Sequence, residues 1–263
     1  MQKQKLFVEI PNFKLDAIRR LVIFALSFML IFVFVYNINT FVRAWNIYNY
    51  DKYLDKLYAI KKKDGVQALV KINNSCIAYF ECEELGIHLP ILEVDSKAEE
   101  DFYLNHDFRK VKNELGSPYQ KYGTKLNQTT ITTFVGHSAY TGSLFNIQKS
   151  RAIFGRFNNY IYENDYNYRI TVETLDDIYN YQVVSVMKFN SKNTSGLDEL
   201  SVYNTINIDT QSRFDNFLNI IKTKSWVNIP EIDDVSFGDK FISIFTCATD
   251  NLDYRIMVIA KLV

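Results

Sequence analysis

Cysteine, histidine, proline and glycine are all scarce in this chain. Of its 263 residues, 3 are Cys, 3 are His, 4 are Pro and 9 are Gly. Three cysteines are too few for a disulfide-stapled scaffold, and an odd count leaves at least one thiol without an internal partner. So little Gly and Pro excludes collagen-like and Pro-rich linker architectures. Net charge is also missing, with 30 basic against 30 acidic residues. That balance gives no electrostatic footprint for nucleic acid, so no nucleic-acid partner is expected. The sequence has no H-E-x-x-H, G-x-S-x-G, P-loop or dinucleotide fingerprint. No Cys/His spacing suits a metal either, so no cofactor and no metal is expected. What is abundant is aromatic: 20 Phe and 18 Tyr in a chain that is 48% hydrophobic and 23% charged. Those proportions exclude wholesale disorder and favour strands around a substantial core.

The neutral total hides an asymmetry. Residues 1–20 carry Lys3, Lys5, Lys14, Arg19 and Arg20 against Glu9 and Asp16, and residues 21–38 (LVIFALSFMLIFVFVYNI) carry no charge. An uncharged apolar run close to about 20 residues spans a bilayer core as a helix. The basic residues before it predict a cytoplasmic N-terminus (1–20), a transmembrane signal anchor (21–38) and an extracellular remainder. Tyr36, Phe41 and Trp45 then fall near the outer interface. A cleaved signal peptide is the rival reading. It calls for an apolar stretch of about 7–15 residues and an A-x-A-like site. The run here is longer, and residues 37–46 offer no such site. A buried core helix fits less well, because the run is apolar on every face. A single-pass cell-membrane protein with its working domain outside is the expectation.

Residues 39–72 mix Tyr48, Leu54, Leu57, Tyr58, Ile60 and Leu69 with many charges. This predicts a helical stalk or accessory segment that Gly65 interrupts. Residues 73–263 read differently. Runs at 76–80, 87–94, 129–137, 167–175, 178–189, 240–247 and 254–263 are β-branched and aromatic. Asp176-Asp177 sits between two of them as a hairpin turn, and residues 99–104 (EEDFYL) suggest a short helix before a loop at Gly116-Ser117-Pro118. One helical pattern, with Phe214, Phe217, Leu218 and Ile221, covers about 211–224. The expected fold is mostly β, a β-barrel with N-terminal helices and a helix in the long loop before the last two strands.

Few residues can carry chemistry. His88 lies within an apolar strand and His106 follows an apparent helix, so packed or surface roles suit both. His137 instead ends a strand after Gly136, where a loop begins, which is where rigid scaffolds display reactive groups. Cys247 ends the strand KFISIF after Thr246, and the chain returns as a strand carrying Arg255. A hairpin would place a thiol beside a cation that favours the thiolate. Whether His137 joins them depends on the fold. Taken singly, Cys247 reads as a buried small hydrophobe; it is Arg255, eight residues on in hairpin register, that sets the active reading level with that one. Cys76 and Cys82 are read as core residues or, outside the cell, as a disulfide.

Taken together these segments resemble a sortase, most of all a class B sortase. The resemblance rests on the N-terminal anchor and on IHLPILEVDSKAEEDFYLNHDFRKVKNELGSPY (87–119). It rests also on FVGHSAYTGSLF (134–145), ISIFTC (242–247) and DYRIMVIAKLV (253–263), with His, Cys and Arg in the family's order. The sequence departs from the family in reading S-I-F-T-C before the nucleophile and Ser138 after the His. It also has QKYGTKLN after the GSPY run. The resemblance implies a sortase-like catalytic barrel (73–263) and a cysteine transpeptidase of that class. It implies catalytic roles for Cys247, His137 and Arg255, and substrate contact at Thr246 and Ser138. The implied partners are secreted proteins bearing a C-terminal sorting motif, cut between Thr and Gly, Asn or Ser. A lipid-linked peptidoglycan precursor or cross-bridge amine would accept the acyl group. Residues 189–239 resemble the long insertion between the sixth and seventh strands that shapes the substrate groove. Two other readings stand beside this one: a membrane-anchored thiol hydrolase, and a non-catalytic extracellular binding domain.

Overall fold

The computed structural model describes residues 12–138, 154–161, 168–192, 198–248, 251 and 253–263. Positions 139–145, 249, 250 and 252, which carry part of the sequence patterns above, lie outside the described residues, as do residues 1–11. The chain divides into two compact units, Met1–Asn46 and Ile47–Val263.

In the first unit the described residues belong to helix α1 (Asn12–Asp64). Apolar side chains from Ile18 to Val42 point outward on every side of it; Leu21 is 73% exposed and Phe24 74%. At about 1.5 Å per residue, positions 21–38 cover about 27 Å. The helix is therefore long and apolar enough to cross a membrane.

The second unit is a closed eight-stranded barrel in the order β1-β2-β3-β4-β7-β8-β6-β5. The strands are β1 (Cys76–Cys82), β2 (Ile87–Leu92), β3 (Tyr119–Gln120), β4 (Ile131–Val135), β5 (Arg169–Glu173), β6 (Ile178–Asn190), β7 (Phe241–Cys247) and β8 (Tyr254–Leu262). Two contacts are parallel, β2 with β3 and β4 with β7, and the rest are antiparallel. The expected mostly-β barrel is thus what forms. The Asp176-Asp177 turn closes as Thr174 N–H donates to the Asp177 carbonyl at 2.8 Å.

Burial explains why the last strands read as near-continuous apolar runs. Ile242, Ile244, Ile256 and Val258 face a core that includes Phe80, Phe134 and Val172. Their neighbours Phe241, Met257 and Ile259 join a second core against α4 (Gln211–Thr223) through Phe214, Phe217 and Ile221. Strands covered on both faces lose the polar alternation of a one-sided sheet. The helix α4 begins where the Thr210 hydroxyl accepts from the Arg213 N–H at 3.4 Å, an N-cap that satisfies an otherwise orphan donor.

Three details depart from expectation. The 99–104 stretch forms two 3-10 turns, Lys97–Glu99 and Phe102–Leu104, rather than one helix. Loop 113–117 takes the carbonyls a longer helix would use: Ser117 N–H donates to Tyr103 O and Asn113 N–H to Asn105 O. Strand β3 is two residues long, too short to leave a pattern, yet it links β2 to β4 in the barrel. A second helix, α3 (Asp198–Asn204), precedes α4 and buries only Glu199 and Val202, so its periodicity is slight.

Gly65, at φ 75, separates α1 from α2 (Val66–Ile72). Within the second unit the C-terminal part of α1 is tied to the barrel by polar contacts. Lys61 Nζ donates to Glu81 at 2.8 Å and lies 2.7 Å from Glu173, on neighbouring strands, while being only 8% exposed. Burial alone would lower the Lys61 pKa; the bonds to Glu173 and Glu81 outweigh it and hold the group above its ordinary value. Lys61→Met leaves two half-buried carboxylates facing each other without their cation. We expect a loss of about 3–5 kcal/mol in equilibrium denaturation of the full chain, the usual cost of breaking a buried pair from one side. A loss under about 1 kcal/mol would show the pair to be solvent-screened.

Candidate active site

Strand pairing assembles the site. Parallel β4 and β7 place Val135 opposite Phe245, and Gly136 N–H continues the ladder to the Phe245 carbonyl at 3.2 Å. His137 and Cys247 therefore leave adjacent strands at the same level. Antiparallel β7 and β8 put Arg255 directly opposite Cys247. The hairpin read from the sequence has this register, and the fold adds His137 to it.

All three residues line one open cavity of about 270 Å3. Its walls are mostly apolar or aromatic, from Leu104, Tyr119, Val135, Tyr203 and Phe245, and Asp101 and Thr246 also line it. Cys247 is half-buried and so within reach of a solute. Arg255 Nη1 donates to the Tyr254 carbonyl at 3.1 Å, which orients the guanidinium along the strand end. His137 Nε2 lies 2.9 Å from the Leu104 carbonyl. A carbonyl only accepts, so the proton of that bond sits on Nε2. Behind Cys247, the buried Asn158 side chain donates to the Cys247 carbonyl at 3.3 Å and to Gly155 O at 3.0 Å, fixing the strand end.

Thr246 lines the cavity, and its buried hydroxyl has no hydrogen-bond partner among the described residues. Ser138, the other residue expected on substrate, does not line the cavity; its hydroxyl is also buried without a partner among the described residues. Sequence reading missed Tyr203. Its ring packs on Phe245 at 4.3 Å, while Lys121 Nζ sits 3.8 Å above the ring and donates to the Tyr203 carbonyl at 2.9 Å. Burial pushes the Tyr203 phenol up to about 12 and lowers the Lys121 ammonium. Asp101 and Leu104 fall in the EEDFYL stretch, so that segment was visible even though its part in the site was not.

The other candidates lie away from the cavity. His106 stacks on Phe102 at 3.9 Å and bonds its carbonyl at 2.8 Å, and His88 packs on Tyr58 at 4.5 Å. Both are packing residues. Cys76 and Cys82 are buried and free. Six positions along β1 separate them by about 20 Å, whereas a disulfide needs Cα atoms within about 7 Å, so the pair cannot bond. Among the described residues no cluster of His, Cys, Asp and Glu suits a metal ion.

The three thiols should therefore separate cleanly. Burial pushes both Cys76 and Cys82 up to about 12, so neither offers thiolate at pH 8. Alkylation of the native chain at pH 8 is expected to mark one site, Cys247, and denatured chain three; label at Cys76 in the native state would contradict the burial. The same shift has a stability sign. The folded thiols titrate near 12 against an ordinary 9.0. The unfolded chain thus loses these protons first, and stability is full below about pH 9. It then falls towards pH 12 by about 1.4 kcal/mol per pH unit per thiol.

No protein-family model and no curated protein matches the chain. Solved structures do. Staphylococcus aureus sortase B aligns over 82% of this chain and 98% of its own at 23% identity, with a TM-score of 0.64. Bacillus anthracis sortase B aligns over 83% and 98% at 20% identity, TM-score 0.65. Clostridium perfringens sortase B aligns over 75% and 98% at 23% identity, TM-score 0.61. The S. aureus protein has also been solved as a substrate complex, and a sortase B has been solved in complex with triglycine. What this chain shares with them is the fold: a class B sortase barrel with N-terminal helices.

Proposed function

We propose, on the premise of that fold, that this chain is a membrane-anchored cysteine transpeptidase of the class B sortase type. The observation that carries the reading is the single open cavity lined by Cys247, His137 and Arg255. In this scheme the Cys247 thiolate attacks the carbonyl carbon of the Thr in a sorting motif. The oxyanion of the tetrahedral adduct forms beside the Arg255 guanidinium, a fixed charge aimed at developing charge. His137, as imidazolium, gives its proton to the departing amine of Gly, Asn or Ser, and a thioacyl-enzyme remains. An incoming amine then loses a proton to His137, forms the new amide bond and expels the Cys247 thiolate. Thr246 borders the substrate, while Leu104, Tyr203 and Phe245 offer an apolar wall to the motif's side chains.

The partners follow from this chemistry: secreted proteins ending in a sorting motif, and a peptidoglycan precursor or cross-bridge amine. The triglycine complex of a sortase B is consistent with an amine of that kind. The apolar run at 21–38, preceded by basic residues, supports a single-pass anchor with the barrel outside the cell, where such partners meet.

The full chain in detergent, given peptides with Thr-Gly, Thr-Asn and Thr-Ser junctions, tests this by mass spectrometry with and without triglycine. Product carrying triglycine is expected. Hydrolysed product alone would replace transfer by the thiol-hydrolase reading. No product from any junction, with Cys247 inert to alkylation, would favour the binding-domain reading.

A further inference from the structure

The loop Gly116-Ser117-Pro118 stands out in the sequence but has no part in the chemistry above. Gly116 has φ 58, in the left-handed region that favours glycine. A Cβ built there would lie 2.3 Å from the Tyr103 carbonyl oxygen, 2.7 Å from the Leu104 oxygen and 2.9 Å from the Leu104 carbonyl carbon. These are backbone atoms and cannot swing aside as a side-chain tip would. The segment they belong to is pinned from the same loop. Ser117 N–H donates to Tyr103 O at 2.8 Å, and Asn113 N–H to Asn105 O at 2.9 Å. The loop is in turn held by the Ser117 hydroxyl, 2.7 Å from the hydroxyl of buried Tyr50. The carbonyl that Gly116 crowds, Leu104 O, is the one His137 Nε2 bonds.

We propose that Gly116 is a positioning residue for His137: its missing side chain lets the Leu104 carbonyl sit where it captures the Nε2–H, leaving Nδ1 as the nitrogen that carries and accepts the catalytic proton. The inference rests on the role proposed above for His137. Its chemical content is specific. With Nε2–H committed to a carbonyl in both protonation states, the imidazolium delivers the Nδ1 proton to the leaving amine and later takes one back at the same atom. No tautomer exchange intervenes between the two half-reactions. Any side chain at 116 would push peptide 104–105 away and release the ring to either tautomer.

The test uses the full-length chain in detergent, labelled with 15N-histidine. Three imidazoles are present in all, and His137→Ala assigns the third. Long-range proton–nitrogen correlation above the imidazole pKa is expected to show neutral His137 as the Nε2–H tautomer. In Gly116→Ala the His137 pattern should become a tautomer mixture. Turnover should fall about 100-fold in kcat with KM within about twofold, the scale of a misplacement near 1 Å. Gly123→Ala is the control. It also has positive φ, 83, but its Cβ would meet only the Ile206 Cδ1 at 3.6 Å; His137 and kcat should stay as in the parent. The proposal is overturned if parental His137 carries its proton on Nδ1, if Gly116→Ala leaves the His137 pattern unchanged, or if Gly123→Ala alters it equally. Should Gly116→Ala not fold, the parental tautomer decides alone. Transfer that survives in His137→Ala would instead sink the catalytic reading and leave the tautomer result standing.

Discussion

If the proposed function holds, Cys247→Ala is expected to lower transfer by at least about 1,000-fold, because the acyl intermediate that splits the reaction in two is formed on that sulfur. Among the described residues the cavity offers no second nucleophile of comparable strength: beside the thiol it presents Thr246, two phenols, Asp101, His137 and Arg255. The variant should also lose the acyl adduct seen by mass after mixing with substrate. Stability should change by about 1 kcal/mol or less, since the side chain is half-buried at a strand end. Cys82→Ala is the mirror experiment. Cys82 is fully buried in β1, so its loss should cost about 0.5–3 kcal/mol of stability and nothing in the rate per folded molecule. A Cys247→Ala chain that still transfers would end the cysteine mechanism.

Arg255→Ala is expected to lower kcat by about 100- to 1,000-fold, the scale of a lost oxyanion donor. Arg255 stands opposite Cys247 in the β7–β8 register and lines the same cavity. Arg255→Lys should recover only part of the rate, because a point charge replaces a planar fork. Turnover within about threefold of the parent would remove Arg255 from the mechanism and leave it a structural role at the strand end.

The legibility of this site in the sequence was uneven, for physical reasons. Cys247 and Arg255 were predictable neighbours because a hairpin is local: a short loop fixes its register. His137 was marked by its place at a strand end after Gly136, but nothing local tied it to Cys247. Tyr203 gave no signal, since it reaches the cavity from the end of α3, whose seven residues bury too little to leave a period. Strand β3 was invisible for the same reason, with two residues carrying no alternation. The 99–104 stretch looks helical by composition, and a tertiary hydrogen bond from Ser117 N–H claims its Tyr103 carbonyl. Gly116 was noticed as a turn residue, and its closeness to the Leu104 carbonyl was beyond any local rule.

By itself the sequence determined the mostly-β class, the helical N-terminal portion with its membrane-length apolar run, and the β7–β8 hairpin that pairs a thiol with a guanidinium. Each depends on neighbours in the chain, where periodicity and turn chemistry act. Only the tertiary structure decided that β4 lies parallel to β7, so that an imidazole 110 positions earlier lines the same cavity as that thiol. Parallel pairing needs a long crossover, and the closure of such a crossover is set by the whole barrel's packing rather than by any residue within it.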